Sequence, residues 1–270
     1  SGKTAAFMWP ALNRLMQESP VKARGPRVLV LTPTRELAIQ VTEACRKYGK
    51  GMRYAKAVSV VGGTSYVMQN KLLAQPYEVL VATPGRLIDQ MDSGRIDFGR
   101  LEMLVLDEAD RMLDMGFIED IEAIVERLPQ NRQTLLFSAT FEPRVCRLAE
   151  RLTRDAQRIE IVATAAQHEK IEQRLLFADG MGHKQRLLDH LLRGEDVEQA
   201  IVFTATKRDA DQIAETLGEN GFLAAALHGD MHQGERNRTL GHLRRGALRV
   251  LVATDVAARG IDVAGISHVI

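Results

Sequence analysis

The sequence predicts an α/β fold of two related domains, each a parallel sheet with helices on both faces. Three observations carry that prediction. Short runs of Val, Ile and Leu, too uniformly apolar for half-exposed strands, alternate with helical patterns through the chain. A small, polar stretch at residues 163–170 interrupts the alternation once, as an interdomain linker would. Two pieces of the first half then return in the same order in the second. Leu31-Thr32-Pro33-Thr34-Arg35 is answered by Phe203-Thr204-Ala205-Thr206-Lys207, and the Val-Leu-Val-Ala-Thr that ends at Thr83 by the copy that ends at Thr254. Each copy is a strand end followed by a hydroxyl and a cation. The expected domains are therefore residues 1–162 and 171–270, joined by 163–170.

In chain order, Gly2-Lys3-Thr4 reads as a loop running into a helix that begins Ala5-Ala6-Phe7. Strands are predicted at residues 28–32, 58–61, 79–83, 103–106, 134–138 and 159–162. Between them lie helices at 35–48, 118–128 and 143–152, the last with Pro143 in its first turn, where proline is tolerated. The second half repeats the scheme with strands at 173–177, 200–204, 224–227 and 249–254 and helices at 184–192, 207–220 and 233–244. Ligands of such sheets gather at the carboxyl ends of the strands. The repeated Thr and Arg residues should therefore share one rim per domain.

Composition sets limits. The 270 residues are 45% hydrophobic and 26% charged with a formal net charge of +1, which is ordinary for a globular protein. Near-neutral charge argues against holding nucleic acid by a basic coat, though not against gripping phosphates with amides and a few arginines. Cys45 and Cys146 are the only cysteines and form no CxxC, so they read as buried free thiols of a reducing, cytoplasmic compartment. No apolar run approaches the ~20 residues of a membrane span. His228 and His232 have no evident third partner for a metal. Met112, Leu113, Met115 and Phe117 read as core, and Arg244-Arg245 as cations suited to a helix end.

Residues 104–110, Leu-Val-Leu-Asp-Glu-Ala-Asp, carry the most information. A buried strand running into Asp107 and Glu108 holds two carboxylates at the rim of a sheet, where a magnesium nucleotide can sit. Ser1-Gly2-Lys3-Thr4 has the form of the end of a phosphate-binding loop. Its amides and the Lys3 ammonium would hold the β- and γ-phosphates, while the Thr4 hydroxyl and Asp107 would ligate Mg2+. Glu108 would orient and deprotonate the attacking water. A helix start stabilised by acids is the plainer use of such a pair. The apolar strand feeding it favours catalysis.

With these residues in view, the chain resembles the DEAD-box RNA helicases of superfamily 2 along essentially its whole length. Asp107-Glu108-Ala109-Asp110 is the motif that names that family. Pro33-Thr34-Arg35-Glu36-Leu37-Ala38 matches its PTRELA motif, Gly62-Gly63 its GG pair, Thr83-Pro84-Gly85-Arg86 its TPGR, and Ser138-Ala139-Thr140 its SAT. Thr254-Asp255 through Arg259-Gly260-Ile261-Asp262 matches the motif near the end of the second domain, and His228-Gly229-Asp230 a loop of that domain. Any one tripeptide is weak; all in order at compatible spacing are strong. The wording from Arg111 to Phe117 resembles bacterial, RhlE-like members.

The resemblance implies two RecA-like domains that use ATP and Mg2+ to clamp one RNA strand, bend it and strip its partner from short duplexes. It assigns backbone contacts to Pro33, Thr34, Arg35, Gly63, Thr83 and Arg86. Thr206, Gly229 and Thr254 extend the track, with Gln233 and Arg236 in support. Glycines allow close approach, and hydroxyls and guanidinium groups bind phosphate oxygens without reading bases; RNA is sensed through its 2′-hydroxyls. Gly260 and Asp262 would face the nucleotide. Ser138 and Thr140 would hydrogen-bond Asp110, tying the catalytic strand to closure. Outside that context, a lone Thr is more simply a cap or turn hydroxyl.

Two departures accompany the resemblance. The sequence begins after the adenine-reading motif and most of the phosphate loop, and it stops at Ile270, before the arginine-finger motif. Both domains are thus expected to be incomplete and this segment alone to turn over negligibly, since arginine fingers supply about 10³–10⁵ in rate. Other functions fit the same motifs: a nucleotide-dependent RNA clamp or scaffold, or a DNA-directed ATPase of the same superfamily.

Overall fold

A computed structural model describes residues 2–52, 55–161, 171–258, 263 and 265–270. The chain divides into two compact units, residues 1–158 and 159–270. The expected linker at 163–170 lies outside the described residues.

The first unit holds a five-stranded parallel sheet of β1 (Val28–Leu31), β2 (Ala57–Val60), β3 (Val79–Ala82), β4 (Met103–Leu106) and β5 (Gln133–Leu136), in the order β2-β3-β1-β4-β5. Alternation along each central strand sends side chains into two separate cores. Leu29, Leu31, Leu80, Ala82, Leu104 and Leu106 enter one, while Val28, Val30, Val79, Val81, Met103 and Val105 enter the other. Both faces are therefore dry, which is why these strands read as unbroken apolar runs. Helices α1 (Lys3–Leu15) and α2 (Arg35–Tyr48) close the second core with Phe7, Met8, Leu12, Val41 and Cys45. The first core is closed by α4 (Pro84–Asp92), α5 (Ala109–Asp114), α6 (Ile118–Glu126) and α7 (Pro143–Leu152), with α3 (Tyr66–Leu73) contributing Leu73.

The second unit repeats the plan with four parallel strands in the order β7-β8-β6-β9. They are β6 (Ala200–Thr204), β7 (Ala224–Leu227), β8 (Val250–Thr254) and the short β9 (His268–Val269). Its helices are α8 (Met181–Leu192), α9 (Lys207–Glu219), α10 (Gln233–Arg244) and α11 (Asp255–Ala258). Val250 and Val252 pack on one face with α9, and Leu251 and Ala253 on the other with α10.

Several expectations are corrected. Strands of the first unit expected to reach Thr32, Val61, Thr83 and Ser138 stop one or two residues earlier. Each terminal residue already belongs to the loop leaving the rim, as where the Thr32 hydroxyl donates to the Thr34 carbonyl. Residues 173–177 and 159–161 form no strand and are exposed. Their apolar side chains suggest burial, but among the described residues no strand pairs with them. Cys45 is buried as expected, whereas Cys146 is half-buried; both thiols are free. Among the described residues, no helix is long and apolar enough to cross a membrane.

Candidate functional site

The carboxyl rim of the first sheet gathers the chemistry-bearing residues. β4 ends at Leu106, and the next amide, of Asp107, donates to the Leu31 carbonyl at 3.0 Å. Asp107 is thereby fixed between β1 and β4, where the strand order reverses and crevices open in such sheets. The residue is 3% exposed. Burial pushes its carboxyl up from 3.8 to about 6, and the neighbouring Glu108 charge adds to the rise, while the Lys3 ammonium opposes it. Lys3 and Asp107, a hundred residues apart, therefore lie within electrostatic reach of each other. Lys3 and Thr4 open α1, whose Phe7 and Met8 are buried against the sheet. Gly2 caps that helix at φ 74°, a left-handed conformation suited to glycine.

Glu108 also has left-handed backbone, φ 56° and ψ 52°. For a residue with a Cβ this costs about 1–2 kcal/mol, and such strain gathers at functional sites. The turn reverses the chain at the strand end, so that α5 begins at Ala109 while the Asp107 and Glu108 carboxylates stay at the rim. Arg111 pairs with Glu108 at 2.9 Å and orients it. Sequence reasoning missed that partner, although its i,i+3 spacing was visible.

Asp110 ties α5 to the loop after β5. Its Oδ2 accepts from the Ala139 amide, the Thr140 amide and the Thr140 hydroxyl, each at 3.3 Å. Ser138 does not join them. Its hydroxyl donates to the Thr140 carbonyl at 2.6 Å, tightening the loop on itself.

A second cluster sits on the same rim. A Cβ at Gly63, φ 68°, would fall 2.5 Å from Arg35 Nη1, so the glycine lets that guanidinium lie against the loop. Arg86 Nη1 donates to the Thr64 carbonyl at 3.0 Å. The loops carrying Arg35, Gly63 and Arg86 thus converge. The buried Gln69 braces them by donating to the Val61 carbonyl at 3.0 Å and to the Thr64 hydroxyl, a support the sequence did not flag. Pro33 is buried, and Thr34 caps α2, its hydroxyl accepting from the Leu37 amide at 3.3 Å and keeping its own proton to donate. Thr83 caps α4 without a side-chain hydrogen bond to it.

In the second unit, Thr206 caps α9 by accepting from the Asp209 amide at 3.1 Å. A Cβ on Gly229 would lie 3.9 Å from Lys207, and Lys207 pairs with Asp230 at 2.5 Å. Thr254 ends β8 opposite Thr204. Gln233 Nε2 donates to Asn237 Oδ1 at 2.9 Å, and Arg236 donates to the His228 and Ala257 carbonyls at 3.2 and 3.3 Å, bracing the loop from behind. Ser1, Gly260 and Asp262 lie outside the described residues.

Comparison with known proteins follows the same division. Residues 1–148 match the family described as DEAD/DEAH box helicase, and residues 182–270 match the helicase conserved C-terminal domain. The ATP-dependent RNA helicase DeaD of Klebsiella pneumoniae is 45% identical over 270 residues, covering 100% of this chain and 41% of that protein. Its namesake in Escherichia coli K12 is 44% identical over 100% of this chain and 42% of its own length. The chain therefore spans about two fifths of these curated relatives, which bear the name DeaD and not RhlE. Among solved structures, S. cerevisiae Dbp5 bound to RNA and ADP BeF3 aligns with TM-score 0.85 and 32% identity, over 99% of this chain and 66% of that one. Mss116p bound to ssRNA and AMP-PNP aligns with TM-score 0.83 and 28% identity, over 99% of this chain and 57% of that one.

Proposed function

Because this chain belongs to the DEAD/DEAH box helicase family, we propose that the protein is an ATP-dependent RNA helicase that holds one RNA strand by its backbone and separates short duplexes with ATP hydrolysis. Residues 1–162 and 171–270 are its two RecA-like domains, joined by 163–170. The observation that carries the reading is the convergence of Lys3 with Asp107 on the rim that also bears Arg35, Gly63 and Arg86. A phosphate-holding cation, a buried carboxylate and a backbone-gripping cluster share one edge of one sheet.

In this mechanism the α1 amides and Lys3 cradle the nucleotide phosphates. Asp107 and Thr4 offer hard oxygen donors of the kind magnesium accepts, and a carboxylate buried enough to resist ionisation gains most from a nearby cation. Magnesium, when bound, would neutralise charge on the β- and γ-phosphate oxygens. Glu108, aimed by Arg111, accepts the proton of the attacking water. Asp110 links that strand end to the Ser138–Thr140 loop, so a shift of the loop is felt by α5. Ser1, Gly2, Gly260 and Asp262 complete the nucleotide contacts. Thr34, Thr83, Arg86, Thr206, Gly229 and Thr254 continue the RNA track with Pro33 and Arg35. A cytoplasmic setting fits the two free thiols.

The test is ATP hydrolysis by the full-length protein with single-stranded RNA and with DNA of identical sequence. Stimulation by RNA alone supports the proposal, and equal stimulation points to a DNA-directed ATPase. A Glu108→Gln variant that still performs the cellular role would instead favour a clamp in which unwinding is incidental.

A further inference from the structure

We propose that Tyr66 is a positioning residue for RNA binding, holding the Arg86 guanidinium with one nitrogen turned to the nucleic-acid backbone; this rests on the reading above that Arg86 meets RNA phosphate. Tyr66 is the first residue of α3, directly beyond the Gly62–Gly63 loop, and the residue is 47% exposed. The Arg86 guanidinium carbon lies 4.0 Å from the centre of its ring, so one face of the fork is covered. The Tyr66 hydroxyl donates to Asp89 Oδ2 at 2.7 Å, and Arg86 Nε stands 3.6 Å from the same oxygen. Arg86 Nη1 is taken by the Thr64 carbonyl at 3.0 Å. One ring, one carboxylate and one carbonyl therefore fix a face, the Nε edge and Nη1. Nη2 has no hydrogen-bond partner among the described residues, and the Arg86 side chain as a whole is only 12% exposed.

A free arginine has a flexible stem and loses much of its freedom on meeting a phosphate, whereas a planar fork already held in place loses little. The phenol contributes twice, as the surface the cation rests on and as the donor that fixes Asp89 beside Nε. Because Tyr66 belongs to α3 and Arg86 to α4, the contact also locks the glycine loop to the start of α4. An exposed aromatic at a helix start thereby gains a use that burial alone does not supply.

The experiment is a thermodynamic cycle in the full-length protein, read by binding of a fluorescent single-stranded oligouridine with a non-hydrolysable ATP analogue. Arg86→Ala first checks the underlying reading: unchanged RNA affinity would overturn the Arg86 contact itself. Given a loss there, Tyr66→Ala should weaken RNA binding about tenfold, and Tyr66→Phe, which keeps the ring and loses the hydroxyl, only about threefold. The KM for RNA in ATP hydrolysis should rise in step while kcat at saturating RNA and nucleotide affinity without RNA stay unchanged. In the Arg86→Ala background, Tyr66→Ala should cost nothing further. A full additional loss there would mean that Tyr66 touches RNA directly. Unchanged or tighter binding by Tyr66→Ala alone would mean that the ring does not present the guanidinium. Either result overturns the positioning role.

Discussion

Asp107 shows how a single residue can be placed against its own stability. Its carboxyl is raised from 3.8 to about 6, chiefly by burial. Below pH 3.8 the folded and unfolded chains both carry the proton, and the environment costs nothing. The cost grows as pH rises towards 6 and is complete above it, at roughly 3 kcal/mol in the ligand-free protein. Asp107→Asn should therefore raise the melting temperature of the first unit at pH 8 and leave it nearly unchanged at pH 3.5, followed by calorimetry without nucleotide. If Asp107 holds magnesium as proposed, the same substitution should abolish magnesium-dependent nucleotide binding. In the unaltered protein, affinity for magnesium should fall as pH drops through about 6, where a proton begins to compete for the same oxygens. Glu108 is a separate case, half-exposed and held by Arg111. If Glu108 is the general base proposed above, Glu108→Gln should cut kcat about 10²–10⁴-fold with little change in nucleotide affinity, since such a base acts in the transition state and not in binding.

At the scale of elements, the rim depends on short loops held by single side chains. Asp110 takes two amides and a hydroxyl from the Ala139–Thr140 segment. Asp110→Ala should accelerate hydrogen exchange at both amides while leaving exchange in β4 and β5 unchanged, because the ladder between those strands does not use the carboxylate. Much of this was legible in the sequence. Helices α2 and α7 fall where their periodicity put them, because each has an amphipathic face; α10 also falls where expected, although it buries only Leu240 and Leu243. α3 and α4 were not foreseen. α4 opens on Pro84-Gly85, which reads as a loop until one sees proline used at a first turn. Residues 173–177 erred in the other direction, since their apolar character says nothing about whether a neighbouring strand is present to pair with. In the candidate site, the motifs named residues that the fold places on the rims, but not what each side chain bonds to there. That Thr34 caps α2 agrees with the plainer reading of a lone Thr, whereas the turn of Ser138 to its own loop and the left-handed backbone of Glu108 are consequences of three-dimensional turns no local pattern encodes. Tyr66 and Gln69 have no fixed chemical signature as supporting residues, whereas the i,i+3 spacing of Arg111 to Glu108 was there to be read.

On the scale of the whole molecule, charge and architecture together constrain how RNA would be gripped under the proposed function. A net charge of +1 leaves no general attraction for polyanions, so affinity must come from local contacts at the rims of the two sheets. Each basic contact to a single-stranded phosphate releases condensed counterion and steepens the salt dependence of binding by about 0.7 in log–log slope. Arg35 and Arg86 lie on the first unit's rim, whereas the second unit presents Thr206, Gly229 and Thr254, with Lys207 already paired to Asp230. Most of the salt dependence should therefore reside in the first unit, with hydroxyls and amides of the second adding affinity that salt barely touches. Each unit has its own pair of buried cores, so residues 1–158 and 159–270 can be compared as separate polypeptides and as one chain. The first alone should retain nearly the full salt slope for oligouridine yet bind it far more weakly than the joined chain, because linkage supplies the second set of contacts at high effective concentration. Arg35→Ala and Arg86→Ala should each lower that slope by about 0.7. A slope that instead drops by half when the second unit is removed would place the phosphate-neutralising cations there and reverse this division of labour.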